Sequence, residues 1–443
     1  MNKTRFQLSA ILTTVLASGF VSASYGFGEF ARGSLLLETT ARATYDSYFI
    51  GSNDPGAGDY YLSLHPNLKY DRKAGLAEIS GYLGVDILRY DKNTSYNTEN
   101  VSGLINVKLP DTGYRITGNI SLSYVESENV DFNVLNRIKE KATSAAADFN
   151  YALGLKMSLA ENFSFTHIDR DKFSDQTMFH NDISYRYSNF LEDTSLRLTE
   201  SFDRTKSNGN NGLGADLDQT SNSVSAGVNR HIFGPLSGEA VVGYRFLDRS
   251  HNETLLNKSH FNGLFYSLNL HGPFLPPRYF PKIESSASIT YEQSQNPGIN
   301  DTGEKTVTGD VRLAWQARPE TKISFDANRS VELTATDLSV DSSSLNLSVS
   351  ENIGYNTSAG ASVGYVWRTY PHTDRSDDTF TAGLNVSHHF NKYWSGGISY
   401  QYQDNTSKGD DPNSLYYYGI GAFGINPHDF SRHLVNIFVT NEF

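Results

Sequence analysis

The feature that most constrains this chain is a two-residue alternation of apolar and polar side chains, repeated from near one end to the other. In 77–89, Ala77, Ile79, Leu83, Val85 and Ile87 alternate with Glu78, Ser80, Tyr82 and Asp86. In 114–124, Tyr114, Ile116, Ile120, Leu122 and Tyr124 alternate with Arg115, Thr117, Asn119, Ser121 and Ser123. In 147–158, Phe149, Tyr151, Leu153, Leu155 and Met157 form the apolar set, and 305–318, 343–350, 357–369 and 394–403 repeat the scheme. A period of two with one apolar and one polar face describes a β-strand lying between two different media. Past the N-terminal segment no run reaches the ~18 apolar residues of a spanning helix. Helical periodicity is confined to a short stretch around Val130 to Ala147.

The connections alternate in length. Short ones are predicted at 72–75, 111–113, 160–162, 233–235, 318–320 and 391–392. Longer polar ones fall at 51–59, 92–100, 207–219, 295–303, 372–378 and 405–413. Short turns on one side and long loops on the other are the layout of an outer-membrane barrel. The pattern therefore predicts an all-β, antiparallel transmembrane barrel of about 20 strands, or 18. It runs from a first strand at 34–48 to a last at 432–443. One connection departs, because 271–282 (HGPFLPPRYFPK) falls on the short side yet is long and proline-rich.

Aromatic residues sort by height. Tyr70, Tyr114, Phe163, Tyr187, Trp315 and Trp394 stand near the short turns on the apolar face. Tyr45, Tyr124, Phe179, Phe202, Phe246, Tyr291 and Trp367 stand near the long loops. Ten residues from Tyr114 to Tyr124, at ~3.3 Å each and ~40° tilt, span roughly 25 Å, the height of an outer-membrane apolar band.

The first 23 residues read as an export signal. Lys3 and Arg5 precede an apolar stretch from Leu8 to Val21, and Val21-Ser22-Ala23 supplies a small-residue cleavage site. Residues 24–33 then form a short periplasmic lead, and 34–443 the barrel, in the outer membrane of a Gram-negative-type bacterium. Composition narrows the function classes. With no cysteine, disulfides, thiolate metal sites and thiol catalysis are excluded. A net charge of −12 has the wrong sign for a non-specific nucleic-acid binder.

Two segments carry a family resemblance. Ala43-Thr44-Tyr45-Asp46-Ser47-Tyr48-Phe49 followed by Tyr60 to Tyr70 is similar to the opening of the family called putative beta-barrel porin 2. Arg368-Thr369-Tyr370, followed by Arg375 and the paired Asp377-Asp378, resembles its penultimate loop. The resemblance implies an outer-membrane barrel associated with exopolysaccharide or capsule production. The terminal Phe443 on an alternating strand resembles the signal read by the barrel-assembly machinery. Lipid and lipopolysaccharide are the expected surroundings, with periplasmic polysaccharide export proteins as expected partners.

Catalytic and metal motifs are weak. Gly360-Ala361-Ser362-Val363-Gly364 fits G-x-S-x-G, but a nucleophile elbow needs a strand, a sharp turn and a helix, and here the alternation continues. His388 and His389 are adjacent, so on a strand they face opposite ways, and His65, His167, His180 and His271 lack ligand spacing. The acidic loops 53–59 and 409–411 offer oxygen ligands suited to Ca²⁺ but no full ligand loop. The expectation is a non-enzyme without cofactor or metal.

The polar face then holds the candidate functional residues. Its basic members include Arg42, Lys69, Arg115, Lys156, Arg186, Arg197, Arg245, Arg312 and Arg368, and its acidic members Glu78, Asp86, Asp148, Asp182 and Asp310. They either pair across neighbouring strands and hold the wall, or form a ladder that meets an anionic or hydroxyl-rich polymer through forked Arg donors. The expected function is a passive outer-membrane conduit for an exopolysaccharide or capsular polymer. The alternatives are a general or solute-specific diffusion porin and, third, an outer-membrane hydrolase.

Overall fold

The computed structural model describes residues 29–49, 58–110, 115–131, 136–171, 174–208, 217–251, 259–275, 278–280, 282–293, 305–333, 339–370, 375–409 and 429–442. The expected export signal and the terminal Phe443 lie outside them, as do most of the two acidic loops. Among the described residues nearly every element is a strand. The first quarter holds β1 (Glu29–Phe30), β2 (Gly33–Asp46), β3 (Asp59–Ala74), β4 (Ala77–Tyr90) and β5 (Thr98–Leu109). Next come β6 (Ile116–Asp131), β7 (Asn136–Ala152), β8 (Met157–Arg170), β9 (Asp175–Leu191) and β10 (Thr194–Asn208). The second half holds β11 (Leu217–Phe233), β12 (Leu236–His251), β13 (Ser259–His271), β14 (Ile283–Gln293), β15 (Lys305–Gln316) and β16 (Thr321–Leu333). It ends with β17 (Ser339–Ile353), β18 (Thr357–Thr369), β19 (Ser376–His389), β20 (Trp394–Lys408) and β21 (Phe430–Glu442).

Each strand from β2 onward pairs antiparallel with its sequence neighbours, and β21 returns to pair with β2 from Glu38↔Glu442 to Asp46↔Leu434. The result is a closed barrel of 20 strands, as the alternation predicts. Closure leaves no free sheet edge, the condition for a β-structure to sit in lipid. β1 is a stub that folds back on Gly33 and Ser34 through Ala31 and Arg32, both at positive φ. The short turns use residues suited to the left-handed region: Gly75 sits at φ 79° and Gly234 at 52°.

The ladder tells the two faces apart. Rungs such as Leu83↔Leu68, Ile105↔Leu122, Leu198↔Tyr185, Val363↔Leu347 and Ile398↔Ile437 place the apolar set consistently on one side around the whole circuit. That side is the convex one. Along β11, Ser221, Ser223 and Gly227 are buried while Asn222, Val224, Ala226 and Val228 are exposed. Side chains converge inside a barrel and splay outside it, so the polar set faces the interior.

Two sequence expectations are corrected. The helical stretch around Val130 to Ala147 is the β6–β7 hairpin, with sixteen-residue β6 laddered from Ile116↔Tyr151 to Asp131↔Asn136. Its alanine run favours helix locally, but pairing on both sides overrides propensity. The turn expected at 160–162 lies instead between β7 and β8, where Leu153 and Gly154 N–H both donate to Met157 O. Leu155 at its tip is fully exposed. Leu153, Gly154 and Leu155 continue the alternation in sequence, which hides the turn. Phe163 consequently stands well above the short-turn side, its ring 5.3 Å from that of Phe179, which in turn lies 5.6 Å from Phe202.

Candidate functional site: the polar inner wall and its mouth

The inward side chains line up in rows that cross many strands. One runs Glu78, Lys108, Asn119, Asp148, Asn162, Asp182, Ser201, Ser223 and Arg245, each opposite the next, before it meets Gly263. A second runs Glu239, Asn269, Ser288, Asp310, Asn328 and Ser344. No apolar side chain interrupts either row. Each presents carboxylate, amide, hydroxyl or basic groups along its full length, a chemistry suited to water and to ligands rich in hydroxyls.

The ladder positions of Arg42, Lys69, Arg186, Arg197, Arg245, Arg312, Arg368, Glu78, Asp86, Asp148, Asp182 and Asp310 are all on this inner face. Arg115 and Lys156 differ, since they lie in the short connections before β6 and β8 and belong to the rim. Several of the wall residues are tied. Lys69 Nζ donates to Glu38 at 2.6 Å and Arg197 to Glu239 at 3.1 Å. Arg245 pairs with Glu292, and Arg312 Nε stands 3.7 Å from Asp310. Arg368 donates to Thr379 Oγ1 at 3.1 Å.

The Arg197–Glu239 and Arg245–Glu292 pairs each skip a strand. Gly227 permits the first: a Cβ there would stand 3.2 Å from Glu239 Oε1. Gly263, opposite Arg245, clears the intervening strand for the second, while the Arg245 guanidinium stands 5.3 Å from the Phe265 ring. Arg186 is different. It faces Arg197 directly across the ladder and has no ion pair among the described residues. His180, which sequence spacing left isolated, sits between Asp203 at 2.5 Å and Asp182 at 3.0 Å. Fold, not spacing, brings those three together from two neighbouring strands.

Residues 290–416 match the family model Putative beta-barrel porin 2. The match takes in the Arg368–Asp378 loop segment and leaves the opening segment 43–70 outside it. No curated protein matches the chain. Among solved structures, the FrpB iron transporter from Neisseria meningitidis (F3-3 variant) aligns with TM-score 0.52 at 10% identity, over 94% of this chain and 82% of that one. Its F5-1 variant in the apoprotein form gives 0.52 at 10% identity, over 92% and 81%. The ferric citrate transporter FecA in the unliganded form gives 0.50 at 10%, over 92% and 78%. At such identities the likeness concerns the fold. This is the fold of outer-membrane barrels.

Within the family-matched segment, a buried clasp ties the neighbouring ends of β18, β19 and β20 together. Arg375 Nε and Nη2 donate to the two Asp377 carboxylate oxygens at 3.0 and 2.5 Å, and both side chains are almost fully buried. Tyr370 Oη and Ser407 Oγ donate to the same carboxylate at 3.0 and 2.6 Å, and the Arg375 guanidinium stands 4.4 Å above the Tyr370 ring. A second clasp closes the barrel seam. Arg432 donates to both Asp46 oxygens at 2.8 and 2.5 Å. Past the second clasp, the fully buried Phe49 packs edge-on against the inward Tyr90 and against Tyr96, with Arg137 4.3 Å above its ring. Burial pushes the Tyr96 phenol up; Glu128 adds to the shift and Arg137 opposes it. Arg432 and Arg375 carry no periodic signal, so their pairing was legible only as family-like residues in the second case.

The G-x-S-x-G segment forms no elbow. Ser362 lies mid-strand in β18 between Ser348 and Gly383.

Proposed function

We propose that the protein is a passive outer-membrane conduit for an exopolysaccharide or capsular polymer, handed over by separate periplasmic export proteins. The observation that carries this reading is the unbroken polar row from Glu78 to Arg245 across nine consecutive strands. A hydroxyl-rich chain can exchange hydrogen bonds from one member to the next without desolvating any group alone, so it meets no deep trap. The forked guanidinium of the unpaired Arg186 suits carboxylates on such a polymer.

Single-channel conductance of the refolded chain in a planar bilayer, with and without an acidic polysaccharide, tests the reading. The expected result is an open pore that the polymer blocks at low concentration, with weaker block in Arg186→Ala. An open pore indifferent to polymer would establish a diffusion porin instead. Absence of conductance would overturn both.

A further inference from the structure

The β8–β11 side of the convex wall carries a patch that lipid alone does not suit. Following the ladder, Glu161, Ile183, Glu200 and Val224 share an outward rung, and Phe163, Asn181, Phe202 and Asn222 share the next. Glu200 stands four residues above Leu196, which faces Tyr187 of the lower girdle, and two below Phe202 of the upper. That puts it about 10 Å above the lower girdle and about 5 Å below the upper. Among the described residues, acidic side chains between the girdles on this face are confined to Glu161 and Glu200. Elsewhere the corresponding positions are mostly aliphatic, aromatic or small and neutral, with Arg329 a basic exception. Both glutamates are exposed, and Asn181 Oδ1 is enclosed without a hydrogen-bond partner.

Beside them the wall is hollow. A depression of about 860 Å³ begins at Tyr185 and Leu198 and runs over the small Ala226 and Ala240 to Tyr266. A charge facing lipid is most costly at mid-depth, and a hollow in the wall forfeits packing. A protein surface offering amide donors and apolar side chains removes both penalties.

We propose that the β8–β11 wall is the interface with a second copy of this chain, related by a two-fold axis along the membrane normal between β9 and β10. The patch is self-complementary, as an isologous contact requires. Asn181 on β9 and Glu200 on β10 lie one ladder step apart on adjacent strands, the direction in which tilted strands bring them to similar depth. A two-fold between them sets each Asn181 amide against the partner copy's Glu200 carboxylate, twice over. The hollow beside the axis receives the second copy's apolar side chains.

The chain has no cysteine, so single cysteines give a clean test. Ile183→Cys, expressed in whole outer membranes and treated with a short bis-maleimide, is expected to give a product of twice the chain mass. Leu384→Cys, exposed on the opposite wall in β19, is expected to stay monomeric. Adding Asn181→Asp to Ile183→Cys sets carboxylate against carboxylate and should cut cross-linking at least tenfold. Adding Glu200→Gln as well restores a donor and should recover it. Heat-shifted gel migration of each variant checks that the barrel folds. No cross-link at 183 in a folded barrel, a link to a different protein, or yields indifferent to Asn181→Asp would overturn the proposal.

Discussion

Replacing Arg432 by Met asks how strongly the barrel seam is held at its upper end. Asp46 is wholly inaccessible to solvent, and Arg432 supplies two of its hydrogen bonds, at 2.8 and 2.5 Å. The remaining donor to that carboxylate among the described residues is the Tyr48 backbone N–H, 3.1 Å from Oδ1. Arg432→Met keeps the stem and removes the guanidinium, leaving a buried carboxylate with one neutral donor. Breaking a buried pair from one side costs about 3–5 kcal/mol, because the stranded charge is desolvated without compensation. Asp46→Asn combined with Arg432→Met strands no charge and should cost much less than the two single losses added together. Urea unfolding of the barrel in lipid vesicles, followed by the fluorescence of its three tryptophans, gives each stability. A loss below about 1 kcal/mol for Arg432→Met, or strict additivity in the double variant, would refute the reasoning.

Two further outcomes follow from the inner wall. Arg186→Ala removes an unpaired inward cation, so reversal potentials in a salt gradient should move toward cation preference; Arg245→Ala, which removes a cation already compensated by Glu292, should move them no further. A larger shift for Arg245→Ala, or shifts toward anions, would contradict the pairing described. Gly243→Val places a side chain into the Phe265 ring and against Ser225, whose Cβ would lie 2.8 Å from the new Cβ. Overpacking of that kind costs about 1–3 kcal/mol, and the displaced ring should alter single-channel conductance; unchanged stability would show that the wall yields more easily than the contacts suggest.

Most of the barrel was legible in the sequence because strand period and pleat are the same quantity. Each apolar–polar alternation assigns a face directly, so the inward placement of Arg42, Arg197 and Asp182 needed no tertiary information. What alternation cannot carry is where a strand stops. Leu153-Gly154-Leu155 keeps the period through a turn, which displaced the β7–β8 junction and the height of Phe163. It also cannot say which strands lie two apart. The Arg197–Glu239 bridge depends on Gly227 in the strand between, and a glycine on an inner row carries no periodic mark. The same holds for His180 with Asp182 and Asp203, whose proximity is a matter of register.

Pairing decides what the inner wall would offer a solute in the proposed conduit. A bidentate or bridged Arg presents its field to its own carboxylate first, and the pair is nearly neutral at the distance of a lumen. Lys69 with Glu38, Arg197 with Glu239 and Arg245 with Glu292 are of this kind, and they brace neighbouring or next-neighbouring strands. The field that a solute feels is then set by the few groups left over. Arg186 is one, and its position opposite Arg197 keeps any third basic group from sharing its space. Strong local preference thus needs no large net inward charge, because the total is a property of the sum and selectivity is a property of the unpaired remainder. Counting charges from the sequence gives the first; only the ladder and the glycines between its rungs give the second.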